Sequence, residues 1–259
     1  MAEPAALRDL AAGIAREAGA LLVHRLHDIR TDVATKSSAT DMVSEVDRES
    51  EVLIVSRILA ARPGDAILGE EGASREGSSG LRWVIDPLDG TTNYLYKRGD
   101  FCVSIGIERG DERLAAVVFD PVRDELFAAC RGGGSTLNGE PIAVTASASL
   151  ATALVGTGFG YDTMVRARQG TVVARVLPSV RDIRRGGSAA LDLCAVACGR
   201  LDAYYESGLN PWDMAAGILV IEEAGGRVAF IDIPGERRAV VAAHPDLWDG
   251  LARVLLAED

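Results

Sequence analysis

The run Trp83-Val84-Ile85-Asp86-Pro87-Leu88-Asp89-Gly90-Thr91-Thr92-Asn93-Tyr94 constrains this chain more than any other stretch. A short apolar strand leads into two carboxylates separated by Pro and Leu. Pro87 fixes its own φ and pushes Asp86 out of the helical region, so Asp86 is expected to end the strand. On an extended chain the Cα atoms of Asp86 and Asp89 would lie roughly 10 Å apart, so a turn at Pro87-Leu88 is needed to bring both carboxylates to one locus. That turn also swings a backbone carbonyl toward them, which makes a hard-oxygen donor set suited to Mg²⁺. Behind it, Gly90-Thr91-Thr92 offers backbone N–H groups and a hydroxyl at the start of a short helix, an arrangement that receives phosphate. An Asp-Pro loop capped by Asp and Thr is the plainer alternative, and the length of the whole run after an apolar strand argues against it.

The 259 residues suffice for a sizeable core and sit near the size at which a domain splits into lobes. A net charge of −11 excludes a nucleic-acid backbone and an anionic membrane as partners. It leaves room for a small anionic substrate, because bound cations invert the local field. The first twenty residues carry charges throughout and no long apolar run, so a cytoplasmic location is expected. Cys102, Cys130, Cys194 and Cys198 lie in apolar segments without ligand spacing and read as reduced core thiols.

Apolar residues at helical spacing place an amphipathic helix over residues 4–27. Residues 31–44, with Lys36 in their middle, read as a loop or loose hairpin that could cover an anion. A second helix begins near Ser44 with Asp47 in its early turns. A strand at Ala66-Ile67-Leu68 runs into Gly69-Glu70-Glu71-Gly72, and its end could neighbour that of Asp86 in one sheet. Antiparallel strands follow from Phe101 to Glu108, Leu114 to Asp120 and Leu126 to Arg131, with a hairpin at Asn138-Gly139. Thr145 to Ala153 is the expected boundary, dividing an N-terminal α+β lobe (1–147) from a C-terminal α/β lobe (148–259). In the second lobe strands at 154–158, 180–184, 201–205, 227–231 and 239–243 alternate with helices at 163–177, 214–224 and 245–256, and with one that opens at Arg185-Gly186-Gly187-Ser188 and runs to Cys198. Trp212-Asp213 introduces the helix at 214–224, and a helix cap is the plain reading of Asp213 there.

Gly69-Glu70-Glu71, the Trp83–Asn93 run, Trp212-Asp213-Met214-Ala215-Ala216-Gly217 and Glu222-Glu223-Ala224-Gly225-Gly226 together resemble the inositol monophosphatase family, over most of the chain from Lys36 to Gly226. The resemblance implies a layered α-β-α-β-α sandwich, an α+β or α/β fold. It also implies a homodimer and a Mg²⁺-dependent, lithium-sensitive phosphomonoesterase that uses two Mg²⁺ ions or three. Carried over by motif, Glu70, Asp86 and the Leu88 carbonyl are implied ligands of one ion, and Asp86, Asp89 and Asp213 of a second. Thr91 with Asp47 is the implied pair that orients water, with Glu70 beside them in the catalytic set. Asp89, Gly90, Thr91, Gly187, Ser188, Ala189, Glu206 and Asp213 are the implied substrate contacts. No covalent phospho-enzyme is expected. A carboxylate at Glu206 can accept bonds from a polyol, so inositol 1-phosphate is the first choice of substrate. Histidinol phosphate is the alternative, since its ammonium could pair with Glu206. Nucleotide 3′-phosphate and fructose 1,6-bisphosphate follow, and Arg181, Arg184 and Arg185 could meet a second phosphate. Outside enzymology, an acidic partner-binding protein on the same fold is the competing reading.

Overall fold

The computed structural model describes residues 2–26, 33–35, 42–146 and 149–257, with backbone alone for 2, 33–35 and 42–44. Helix α1 (Ala2–Arg25) is followed by the paired strands β1 (Val33–Thr35) and β2 (Met42–Ser44) and by α2 (Glu45–Ala61). Lys36, with the lid role considered for its segment, and the expected helix end at residue 27 lie outside the described residues. Next come β3 (Ala66–Gly69), β4 (Ser74–Arg75), β5 (Leu81–Asp89), the short α3 (Thr91–Leu95), β6 (Cys102–Arg109), β7 (Glu112–Asp120), β8 (Glu125–Cys130), β9 (Gly134–Leu137) and β10 (Glu140–Pro141). The remainder is β11 (Leu154–Thr157), α4 (Thr163–Val176), β12 (Asp182–Arg184), α5 (Ala189–Ala197), β13 (Ala203–Ser207), α6 (Pro211–Glu223), β14 (Arg227–Ile231), β15 (Ala239–Ala243) and α7 (Pro245–Leu255).

Strands β3 to β10 form an eight-stranded sheet in the order β10-β9-β8-β7-β6-β5-β3-β4, antiparallel except where β3 runs parallel to β5. The other sheet, β12-β11-β13-β15-β14, is parallel on the β12 side and antiparallel on the β14 side. Alternation along the strands explains the stacking, because successive side chains leave a strand on opposite faces. Val117 of β7 faces a core shared with α1 and α2, where Ala11, Ile14, Leu22, Ile54 and Ile58 pack. Val118 faces a second core with Leu193 and Cys194 of α5 and Leu219 and Ile221 of α6. Tyr204 and Val240 enter that same core from the smaller sheet, while Tyr205 and Val241 point the other way onto Val172 of α4 and Trp248 and Leu251 of α7. The layers are therefore α-β-α-β-α. No helix among the described residues is long and apolar enough to cross a membrane. The cysteines are free, with Cys102, Cys130 and Cys194 buried.

One local expectation is corrected. Strand β5 does not stop at Asp86 but pairs on through Asp89, with Asp86 opposite Ser104 and Asp89 opposite Cys102 on β6. Three steps on one strand face two on its partner, so the pair of carboxylates is brought round by a bulge instead of a terminal turn. A bulge tolerates Pro87 because the ladder hydrogen bond it cannot donate is already missing there.

Candidate active site

The parallel pairing of β3 with β5 sets Gly69 opposite Ile85, and the Glu70 N–H donates to the Ile85 carbonyl at 3.2 Å. Glu70 therefore leaves its strand end beside Asp86. Asp213 arrives from the other half of the chain in the first turn of α6. It is not the capping residue itself. Asn210 holds the N-cap and Pro211 the first helical position, so Asp213 falls at N3 and accepts the Asn210 N–H at 2.6 Å. Carboxylate oxygens of Glu70, Asp86 and Asp213 all lie within 4.8 Å of one another.

Asp89 is placed differently. Its Oδ2 accepts from the Ser188 hydroxyl and the Ala190 N–H, each at 2.7 Å, so α5 grips it from across the cleft. Ser188 is the N-cap of α5 and also receives the Leu191 N–H, which ties the helix start to the DPLD segment. Gly90 follows with φ 95°, and a Cβ there would meet the Asp100 carbonyl at 2.7 Å, so only glycine fits. Thr91 opens α3. Its hydroxyl lies 3.3 Å from Asp47 Oδ2 and 3.2 Å from the Leu88 carbonyl, two acceptors for one proton.

Glu70, Asp86, Leu88, Asp89, Gly90, Thr91 and Asp213 line one cleft of about 300 Å³, which Gly187, Ser188, Ala189 and Glu206 line as well. Asp47 is fully buried behind Thr91. Glu206 sits on β13 and accepts a short hydrogen bond from the Tyr204 hydroxyl. Of the arginine run, Arg181 donates to the Thr152 carbonyl at 3.0 Å and Arg184 pairs with Asp182 at 2.6 Å, leaving Arg185 to line the cleft.

Burial and crowding act on these acids in one direction. Asp86 is held well above the ordinary carboxylate range by burial and then by Glu70, Asp89 and Asp213. Burial and Asp89 push Asp213 up to about 8, against the opposing pull of the Asn210 N–H. Asp89 rises by burial to about 6, restrained by the Ser188 hydroxyl and the Ala190 N–H. Glu206 is raised by burial to about 7, restrained by Tyr204 and Arg185. Crowded, buried carboxylates whose charged forms are disfavoured are what a divalent cation relieves, and an all-oxygen donor set of this kind fits Mg²⁺ chemistry.

Residues outside the motifs also build the site. Asp192 lines the cleft, and burial followed by repulsion from Asp89 and Glu206 pushes it up to about 8. Its signal was present as a lone acid in the otherwise apolar run Ala189–Ala197. Gln169 is buried in α4, accepts the Gly160 N–H at 2.9 Å and donates to Ser207 at 3.1 Å, which joins two walls of the cleft. Nothing in the sequence around Gln169 marks that role, because its partners come from β13 and the loop before α4.

The sequence profile described as "Inositol monophosphatase family" matches residues 3–257. Among curated proteins, "Inositol-1-monophosphatase SuhB" of Mycobacterium tuberculosis is 43% identical over 98% of this chain and 94% of its own length. "Nus factor SuhB" of Xylella fastidiosa is 46% identical over 83% of this chain and 78% of its own length. Among solved structures, the extragenic suppressor protein suhB of Bartonella henselae superposes with a TM-score of 0.90 at 36% identity, covering 96% of this chain and 98% of that one.

Proposed function

Since the chain belongs to the inositol monophosphatase family and is a phosphoric monoester hydrolase, we propose that it uses Mg²⁺ to hydrolyse a small polyol phosphate, with inositol 1-phosphate as the first candidate. The observation that carries this reading is the convergence of Glu70, Asp86 and Asp213 in a cleft that Thr91, backed by Asp47, also lines. Glu70, Asp86 and the Leu88 carbonyl would hold one ion, and Asp86, Asp89 and Asp213 another. When bound, Mg²⁺ lowers the pKa of water and neutralises charge on the phosphate and on the departing alkoxide.

The protein groups divide the remaining work. Thr91 Oγ takes a proton from the water it holds as it passes its own to Asp47, whose buried carboxylate is the acceptor at hand. The N–H groups of Gly90 and Thr91 face the phosphate. Gly187, Ser188 and Ala189 form the wall on which the substrate hydroxyls rest, and Glu206 accepts from one of them. We place the main metal ligands in a lobe of residues 1–147 and Asp213 with the substrate contacts in one of 148–259. A cytoplasmic homodimer is the form in which the enzyme is proposed to act.

The test is phosphate release from inositol 1-phosphate, histidinol phosphate, a nucleotide 3′-phosphate and fructose 1,6-bisphosphate, each with Mg²⁺ and with EDTA. Inositol 1-phosphate is expected to give the highest kcat/KM. Replacing Glu206 by Gln is expected to raise KM for it about tenfold, the loss of one charge-assisted hydrogen bond, with a smaller change in kcat. If histidinol phosphate leads the panel, the polyol assignment is wrong. Phosphate release from none of the four would favour the acidic docking role.

A further inference from the structure

Three residues on one side of α2 each reach a different segment of the cleft. Ser50 and Glu51 follow Asp47 by three and four residues, the spacing that aligns side chains on a helix, and all three are buried. Asp47 meets Thr91, as described. The Ser50 hydroxyl donates to the Pro87 carbonyl at 3.0 Å, bracing the bulge between Asp86 and Asp89. Glu51 takes the third segment. Its Oε2 accepts the Glu71 N–H and its Oε1 the Ala73 N–H, both at 2.9 Å, so one carboxylate spans the turn that carries Glu70. The turn is closed on itself by the Gly69 N–H on the Ala73 carbonyl at 2.7 Å. Gly69 approaches so closely that a Cβ would collide with the Glu51 carboxylate, which explains a glycine there without any need for an unusual backbone conformation.

We propose that Glu51 is a positioning residue, which clamps the Gly69–Ala73 turn so that the Glu70 carboxylate meets Asp86 and Asp213, and so sets the cluster's affinity for a divalent cation. It touches neither ion nor substrate. The proposal rests on the metal-binding reading of the cluster given above. Its physical basis is that a ligand's hydrogen-bonded support sets the geometry in which the ligand waits, and losing such support costs roughly 10–100-fold in metal affinity. In Glu51→Gln the amide oxygen can accept one N–H, but the NH₂ group faces the other as a second donor, so the clamp loses a point of attachment.

The experiment is calorimetric titration of the full chain with MgCl₂, for the wild type and Glu51→Gln, after EDTA treatment and dialysis. Near-ultraviolet circular dichroism checks that each protein is folded. Glu51→Gln is expected to bind Mg²⁺ roughly 10–100-fold more weakly while keeping the wild-type spectrum. A folded variant with unchanged Mg²⁺ affinity and only a lower melting temperature would show Glu51 to be a fold-stabilising residue and overturn the proposal. Should Glu51→Gln not fold, Gly69→Ala carries the same test, because its Cβ displaces the turn without removing a charge, and unchanged affinity there overturns the proposal equally. A wild type that takes up no Mg²⁺ refutes the metal reading itself, an outcome separate from the loss of the clamp.

Discussion

Asp213→Asn is expected to lower kcat by about 10³-fold, because it removes one charge from the proposed ligand set, whose electrostatic support amounts to several kcal/mol at about 1.4 kcal/mol per decade of rate. The fold should survive. Asp213 accepts the Asn210 N–H at the start of α6, and the amide oxygen of an asparagine accepts the same bond from the same N3 position. In the absence of metal the variant should be the more stable protein. A neutral amide beside Glu70 and Asp86 ends one source of repulsion, and its NH₂ can donate to either. Phosphate-release kinetics at saturating Mg²⁺, with thermal melts in EDTA, test both halves. Turnover close to wild type would mean that Asp213 only supports the start of α6 from its N3 position.

Chelation is expected to abolish turnover and to expose a pH dependence of stability that runs opposite to that of most salt-bridged proteins. Asp89, Glu206, Asp192 and Asp213 have folded-state values pushed up to about 6, 7, 8 and 8, and Asp86 lies well above its usual range. A group whose folded pKa exceeds its unfolded one binds its proton more tightly in the native state. Its stabilising contribution is complete below about pH 4, the unfolded value, and disappears as the pH rises through the folded one. The metal-free protein should therefore lose stability steadily between pH 5 and 9, by on the order of 10 °C in melting temperature. Millimolar Mg²⁺ should restore most of it, since bound cations supply the charge that protons no longer provide. A melting temperature flat with pH in EDTA would mean that these acids are better solvated or paired than their burial implies.

Much of this architecture is legible in the sequence. Strands 227–231 and 239–243 appear at their expected limits because a short apolar run between Gly-rich or charged turns has few other uses. The convergence of Glu70, Asp86 and Asp213 is legible because the motifs of the family resemblance fall on those acids. What escaped was relational. That β5 continues past Pro87 depends on β6 supplying two partners for three steps, which no property of Pro87 announces. The cap of α6 has its signal in Asn210-Pro211, a favoured N-cap followed by a favoured first residue, three positions before the Asp213 that the sequence also offers as a cap. Glu51 was invisible for a different reason. Its partners are backbone N–H groups twenty and twenty-two residues away, and backbone groups leave no mark in a sequence.

The grip of Ser188 and Ala190 on Asp89 has a consequence for how the enzyme matures. Those two donors belong to the helix layer between the sheets, so a chain that has built only its first sheet holds Asp89 without its final orientation. Catalytic competence is then born at docking, not at collapse. During refolding from denaturant, regained turnover would serve as a clock for the last assembly event, lagging behind any signal that reports secondary structure alone.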